Sequence, residues 1–349
     1  MVDIREHVPL VSLTTMQVGG PARYFAQWRS TDQLQEALGW VQARSLPVWL
    51  LSGGSNVLVP DAGLPGLVLQ AAPAPLQVLD ETDQNVLVYA PAGLPWQTLV
   101  QTAVDNGWQG LECLTGIPGL CGAAPIQNIG AYGQEVAAVT EWVETLDRQT
   151  GHLQRLTTPD CQFAYRDSRW KRHPNQAVVT GLALRLHKHT PPCIRYEQVR
   201  LALQAQSNTT PTLTDVARVV ETLRRAKSMW LDPADSDSRS CGSFFVNPIV
   251  DQSTALQAAT HLQQAGEQPP LWPQPDGQVK LSAAWLIERS GMAKGYGDGP
   301  VGLSRSHTLA LVNRGGATCA DVLAFAAHVQ QRVADACGIA LEREPVLLG

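Results

Sequence analysis

Residues 116–133 read GIPGLCGAAPIQNIGAYG. Five of these eighteen residues are glycine, two are proline, and none is Lys, Arg, Asp or Glu. Such a run supplies few side chains to a core and no charge to a solvated loop. What it supplies is accessible backbone, because glycine reaches φ > 0 and lets a ligand meet N–H groups with no Cβ in between. A second run, SGGSN (52–56), follows the apolar segment PVWLL (47–51). Successive N–H groups converging on one concavity bind phosphate oxygens. Two such loops suit a diphosphate held by backbone, with Ser52, Ser55 and Asn56 adding short side-chain hydrogen bonds. For SGGSN taken alone, a simple tight turn explains the composition equally well.

The chain has 349 residues, beyond the roughly 250–300 at which one core stops growing, so two or three domains are expected. Hydrophobic residues make up 44% and charged residues 16%, a globular composition. The net charge is −5, and only five of the 26 cations are lysine, with no basic block; this argues against a nucleic-acid partner. The seven cysteines (113, 121, 161, 193, 241, 319 and 337) are odd in number, widely spaced and without a CxxC. That argues against a zinc site or disulfide framework and for a reducing compartment. MVDIREHVPL has no basic region leading into an apolar run, and nothing approaches the roughly 18 apolar residues of a membrane span. The expectation is a soluble cytoplasmic protein without membrane contact. No apolar helix face demands a partner, so a monomer is expected.

Periodicity predicts strands at 22–28, 47–51 and 175–189, a strand pair within 76–93 and a hairpin over 139–157. Helices are predicted at 30–45 behind Ser/Thr/Asp caps, at 95–107 with Pro at its start and Gly at its end, at 216–227, at 251–266 and at 318–338. The stretch AQSNTTPTLTD reads as a polar link; 243–250 and 307–313 read as strands. No fixed-period repeat is present. The mixture reads as α+β, with a strand-rich N-terminal half and a C-terminal sheet covered by helices.

GDGPVG (297–302) matches GxGxxG, but proline interrupts it, no strand run leads in and no helix follows, so it reads as a loop. No GxxxxGK[ST] or HExxH occurs. His187 and His189 share a strand face but lack nearby acids, which favours a solvated surface over a metal site. Three polar clusters sit in apolar settings. In FAYRDS (163–168), Arg166 suits a carboxylate; the alternative is an ordinary Arg–Asp surface pair. In CGSFFVNP (241–248), glycine and two phenylalanines give Ser243 a dry, walled position. No GxSxG elbow surrounds it, so acyl transfer is poorly supported, and a strand-end serine is the alternative. LEREP (341–345) precedes VLL, which suggests a tail folded back onto the protein; Glu342 and Glu344 lie on one face of a strand, so alternation does not choose between them.

In order along the chain, TTMQVGGPARYF, GGSN, GIPGLCGAAPIQNIGAYGQEV, YRDS, CGSFFVNP, VKLSAAWLIERSG and LEREPVLLG resemble the signatures of the UDP-N-acetylenolpyruvoylglucosamine reductases. The resemblance spans nearly the whole chain, and the ordered set is more specific than any one motif. It implies an FAD-binding fold of the vanillyl-alcohol-oxidase (PCMH) type in two subdomains (1–72 and 73–205). A C-terminal α/β substrate-binding domain (206–340) and a last strand returning to the active site (341–349) would follow.

The resemblance further implies non-covalent FAD, contacted by Gly53, Gly54, Ser55 and Asn56 in one loop. Gly116, Pro118, Gly119, Gly122 and Ala123 would contact it in the other, with Gln127, Asn128 and Gly130 nearby. NADPH would reduce the flavin, which then reduces the enolpyruvyl sugar nucleotide in a ping-pong scheme serving peptidoglycan precursor synthesis. Hydride reaches the β-carbon of an enol ether conjugated to a carboxylate, so negative charge builds on the α-carbon and carboxylate. Arg166 would bind that carboxylate, Glu344, chosen by its place in the terminal motif, would polarise it, and Ser243 would protonate the α-carbon. Tyr196, Lys227 and Asn247 match substrate-binding positions, and no metal is implied. Val246 stands where the family commonly has lysine, and GLCGAAP has alanines where relatives often carry serines. The competing expectations are an FAD oxidase of the same superfamily and a non-catalytic nucleotide-binding protein.

Overall fold

The computed structural model describes residues 2–264 and 267–349. The chain divides into two compact units. One comprises Met1–Val8, Ala22–Gly54 and Pro65–Arg225; the other comprises Pro9–Pro21, Ser55–Leu64 and Ala226–Gly349. The helix Leu213–Arg225 thus falls in the first unit, beyond the 205/206 boundary drawn from sequence.

The first unit carries two large sheets and a short hairpin of Gly130–Ala131 with Gln134–Glu135. In one, the strands run in the order Ile4–Pro9, Pro21–Trp28, Leu64–Ala71, Val48–Leu50. The helix Thr31–Gln42 packs on it through Leu34, Ala37 and Val41, a spacing of three and four residues that puts one apolar stripe against Ala26, Leu67 and Leu69. The other sheet is ordered Leu153–Thr157, Thr140–Asp147, Ala177–Lys188, Asn85–Pro91, Gln77–Glu81, all antiparallel. Val86, Val88 and Ala90 stand opposite Leu186, Leu184 and Leu182, and this apolar face packs against Leu99, Val100 and Ala103 of the helix Trp96–Asp105. The helices Glu197–Ala205 and Leu213–Arg225 bury Val199, Leu203, Val216 and Val220 around Cys113. The first of this pair precedes the polar link and was not foreseen as a helix.

The second unit is built around Phe244, Phe245, Leu286, Ile287, Val322 and Val329, all at most 1% exposed. Its elements include a three-stranded sheet in the order Ile249–Val250, Val279–Leu281, Leu271–Pro273 and a hairpin of Val301–Leu303 with Leu311–Asn313. Its longest helix, Cys319–Cys337, buries Val322, Ala326, Val329 and Val333 along one stripe. Thr318 and Asp321 form a capping box at its start, and Asp61 accepts from the Cys319 and Ala320 N–H groups at 2.7 and 3.0 Å. These contacts satisfy donors that no helix can pair internally. Gly338, at φ +73°, ends it in the left-handed conformation.

The structure departs from the sequence pattern in two strands. Only Ile249–Val250 of 243–250 joins a sheet, because Phe244–Val246 pairs instead with the tail. Only Leu311–Asn313 of 307–313 is strand, because Ala310 closes a turn onto the His307 carbonyl. The helix expected at 251–266 ends at Leu262, and residues 265–266 lie outside the described residues. Among the described residues, no helix is long and apolar enough to cross a membrane.

Candidate active site

In the first unit the two glycine loops touch backbone to backbone. A Cβ at Gly53 would lie 2.5 Å from the Gly119 Cα, closer than atoms can approach. Gly54, Gly116 and Gly119 hold φ of +63°, +74° and +126°, a region glycine enters without a Cβ penalty. A Cβ at Gly122 would meet the Ala92 Cβ at 2.7 Å. Leu120 bridges to Pro95 and its carbonyl accepts from Ser52 Oγ at 3.4 Å, which ties the second loop to the first. Among the described residues, the Gly53, Gly54 and Gly119 N–H groups meet no backbone carbonyl. Buried or half-buried donors left over in this way are uncommon and are what a diphosphate needs. Beside the loops opens a cleft walled by Trp28, Leu69, Ala92, Val178 and Val179. Backbone donors beside an apolar wall fit a dinucleotide such as FAD, with a phosphate bridge at the loops and a ring against the wall. GDGPVG has no such room: the Arg314 guanidinium fills the loop, donating to the Gly295 and Gly297 carbonyls.

Next to this cradle, Arg166 occupies the second position of a two-residue turn closed by Ala164 and Asp167. Its φ is +52°. Its Nη2 donates to the Gly130 carbonyl at 2.5 Å, and a Cβ on Gly130 would lie 3.0 Å from Nη1. Glycine at 130 therefore leaves room for the guanidinium. Asp167 forms an ion pair with Arg172. Asn128 is 1% exposed, at φ +44°. Its Nδ2 donates to Glu135 Oε2 and the Ala164 carbonyl, both at 3.0 Å, and its Oδ1 accepts from the Ala137 N–H at 3.1 Å. The amide is thus engaged inside the protein. Tyr196 is half-exposed and meets Tyr132 edge to face at 5.3 Å.

In the second unit, the tail brings several expected residues together. The Val246 N–H donates to the Glu342 carbonyl and the Glu344 N–H to the Phe244 carbonyl, both at 3.0 Å. On the tail's other side Val346–Leu347 runs parallel to Val57–Leu58, and Asn56 Nδ2 donates to the Glu344 carbonyl at 3.3 Å. Glu344 is half-buried whereas Glu342 is exposed, a difference strand alternation could not supply. Ser243 is half-buried between Gly242 at φ +69° and the two buried phenylalanines. Among the described residues its hydroxyl makes no hydrogen bond within the protein. Burial, followed by the nearby Cys319 and Glu344, pushes the Cys241 thiol up to about 12, so it stays protonated. Asn247 Oδ1 accepts from the Ala283 N–H at 2.9 Å and so steadies a helix start.

Lys227 lies near His307, a residue the sequence hid inside an expected strand. Burial first, then the charges of Lys227 and Lys294, lowers the His307 imidazole to about 4. Native protein then refuses a proton that the unfolded chain accepts below its model value of 6.5. Stability contributed by neutral His307 is therefore full above about pH 6.5 and lost as pH falls toward 4, on the order of 3 kcal/mol. Urea unfolding of the wild type and His307→Gln between pH 7 and 4.5 should show a steeper loss in the wild type; equal slopes would refute this. Among the described residues, no group of three or more His, Cys, Asp or Glu is placed to hold a metal.

Two glycine loops that touch backbone to backbone, in a chain with no strand–GxGxxG–helix, fit one class of protein: an FAD-dependent oxidoreductase. Residues 22–157 match the family model described as "FAD binding domain", and residues 232–348 match that of the "UDP-N-acetylenolpyruvoylglucosamine reductase, C-terminal domain". The UDP-N-acetylenolpyruvoylglucosamine reductase of Thermobifida fusca is 43% identical, the alignment covering 98% of this chain and 97% of that protein. Those of Nocardia farcinica and Pseudomonas aeruginosa are 44% and 39% identical, with 99% of this chain covered and 90% and 99% of theirs. The solved structure of the reductase (MurB) of Thermus caldophilus matches with a TM-score of 0.68 at 25% identity, covering 100% of this chain and 99% of that one. The chain belongs to the UDP-N-acetylenolpyruvoylglucosamine reductase family. It is a flavin-dependent enzyme using FAD, with an α+β fold of the vanillyl-alcohol-oxidase type followed by the family's C-terminal domain.

Proposed function

We propose that this chain catalyses the NADPH-dependent reduction of UDP-N-acetylglucosamine enolpyruvate to UDP-N-acetylmuramate, in the cytoplasm and as a monomer, for peptidoglycan precursor synthesis. Bound FAD supplies the two-electron carrier between nicotinamide and enol ether. Gly53, Gly54, Ser55, Asn56, Gly116, Pro118, Gly119, Gly122 and Ala123 hold it, with Gln127 beside them and Asn128 and Gly130 shaping the loop. Arg166 binds the substrate carboxylate and stabilises charge as it develops there. Glu344 polarises the same carboxyl group, and Ser243 Oγ–H delivers the proton to the α-carbon. A hydroxyl is a weak acid, but a carbanion-like carbon is basic enough to take its proton. Lys227 neutralises the diphosphate, Tyr196 covers that end of the nucleotide, and Asn247 lines the sugar site.

The observation that carries this reading is Ser243, whose hydroxyl makes no hydrogen bond among the described residues and which is followed in the chain by two buried phenylalanines. An oxidase of the same superfamily would not need it. The test is the anaerobic visible spectrum. Flavin bands that bleach with NADPH and return with UDP-N-acetylglucosamine enolpyruvate support the reading. Bands that return only when oxygen is admitted point to the oxidase. A colourless protein that stays so with added FAD overturns both.

A further inference from the structure

The turn that presents Arg166 is a poor place to hold a side chain still. It is a two-residue turn, and Arg166 sits in the left-handed region that residues with a Cβ disfavour. Three contacts from outside the turn restrain it. Asn128 Nδ2 donates to the Ala164 carbonyl at 3.0 Å, just before it. Ser168 Oγ donates to the Ile126 carbonyl at 2.6 Å, just after it. Lys171 Nζ donates to the carbonyl of Arg166 itself at 2.7 Å. Ser168 is fully buried and Asn128 nearly so, so water does not compete for these bonds. Two of the three run between the turn and residues 126–128 of the glycine-rich stretch, and the Arg166 guanidinium makes a further bond to Gly130 in that stretch.

We propose that Ser168 and Lys171 are positioning residues for Arg166, and that Ser168, with Asn128, fastens the arginine turn to the flavin loop so that the two move as one body. This rests on the reading that Arg166 binds the substrate carboxylate. Ser168 is fully buried and its Oγ is spent on the Ile126 backbone carbonyl. Its hydroxyl therefore acts through Arg166 rather than on substrate. A guanidinium displaced by about 1 Å loses much of its hold on a charge that develops in one place, an effect on the order of 10²-fold in rate.

The experiment uses the holoenzyme with Ser168→Ala, Lys171→Met and Arg166→Ala side by side. The rate of flavin reduction by NADPH and the rate of its reoxidation by the enolpyruvyl sugar nucleotide are measured separately. Both positioning variants should slow reoxidation by about tenfold to a hundredfold and leave reduction by NADPH and the thermal midpoint near the wild type. Limited trypsinolysis supplies a readout that a general loss of stability would not reproduce. Cleavage after Arg166, Arg169, Lys171 and Arg172 should rise about tenfold in Ser168→Ala relative to sites elsewhere, because one local tie is gone; in Lys171→Met the remaining three sites report the same opening. Added FAD should protect these sites in apo wild type and protect them less in Ser168→Ala. If Ser168→Ala does not fold, Lys171→Met alone decides. Reoxidation within twofold of wild type in the positioning variants, with Arg166→Ala slow, overturns the positioning roles and leaves the carboxylate reading standing. Arg166→Ala with wild-type reoxidation overturns the carboxylate reading itself, and the positioning proposal with it.

Discussion

Ser243→Ala should bleach with NADPH at the wild-type rate and then regain its flavin bands with the sugar nucleotide at least about 10²-fold more slowly. General acid catalysis by a placed side chain contributes roughly 10²–10⁴-fold, and the enol ether carbon has no proton source of its own. The backbone at 243 does not depend on the hydroxyl. The Phe244 N–H donates to the Leu309 carbonyl at 2.8 Å, the Phe244 carbonyl accepts from Glu344, and both phenyl rings are buried and packed edge to face at 5.3 Å. Since Ser243 makes no hydrogen bond within the described residues, removing its oxygen should change stability by no more than about 0.5 kcal/mol. The rate loss would then belong to chemistry rather than folding. Stopped-flow measurement of each half-reaction separates the outcomes. Equal slowing of both, or of neither, removes Ser243 from the role of proton donor. Slowing of reoxidation in deuterium oxide for the wild type, absent from the variant, would tie the missing step to proton delivery.

How much of this was legible beforehand follows from the range of the forces involved. The hairpin Thr140–Asp147 with Leu153–Thr157 and the helix Cys319–Cys337 were readable because period and caps are local. The glycine loops were readable because a dense run of glycine has few uses other than close backbone approach. Residues 243–250 misled because alternation there looked like one continuous strand. In the folded protein Phe244–Val246 takes as its partner the tail nearly a hundred residues away, and no local pattern encodes that choice. The same pairing leaves Glu344 half-buried and Glu342 exposed. Ser168 and Lys171 were within or beside a motif already singled out, yet their bonds go to backbone carbonyls, which carry no sequence signature. His307 was concealed by its apolar neighbours; only the nearness of Lys227 and Lys294 makes it unusual.

Gly53→Ala should yield a folded protein that purifies without yellow colour. The added Cβ would sit 2.5 Å from the Gly119 Cα, 3.1 Å from its carbonyl carbon and 3.3 Å from the Leu120 nitrogen. All three are backbone atoms, so no side chain can swing aside, and the loops must separate. Separation changes the spacing between the Gly53 and Gly54 N–H groups and that of Gly119. Hydrogen bonds to a charged acceptor are worth roughly 1.5–3 kcal/mol each. Losing alignment of even two of them should raise the dissociation constant for FAD by about 10²-fold or more. Gly107→Ala is the control. Gly107 also has positive φ, +70°, but no atom lies within 4 Å of where its Cβ would be. That variant should lose only about 1 kcal/mol of stability and keep its flavin. Quenching of FAD fluorescence on titration into each apo protein measures the difference. Wild-type affinity in Gly53→Ala would mean that the touching loops do not form the diphosphate cradle. Parallel loss in both variants would mean that the protein tolerates no positive-φ substitution, whatever its distance from the flavin. Loss in Gly53→Ala alone is the outcome the close approach of Gly53 and Gly119 demands.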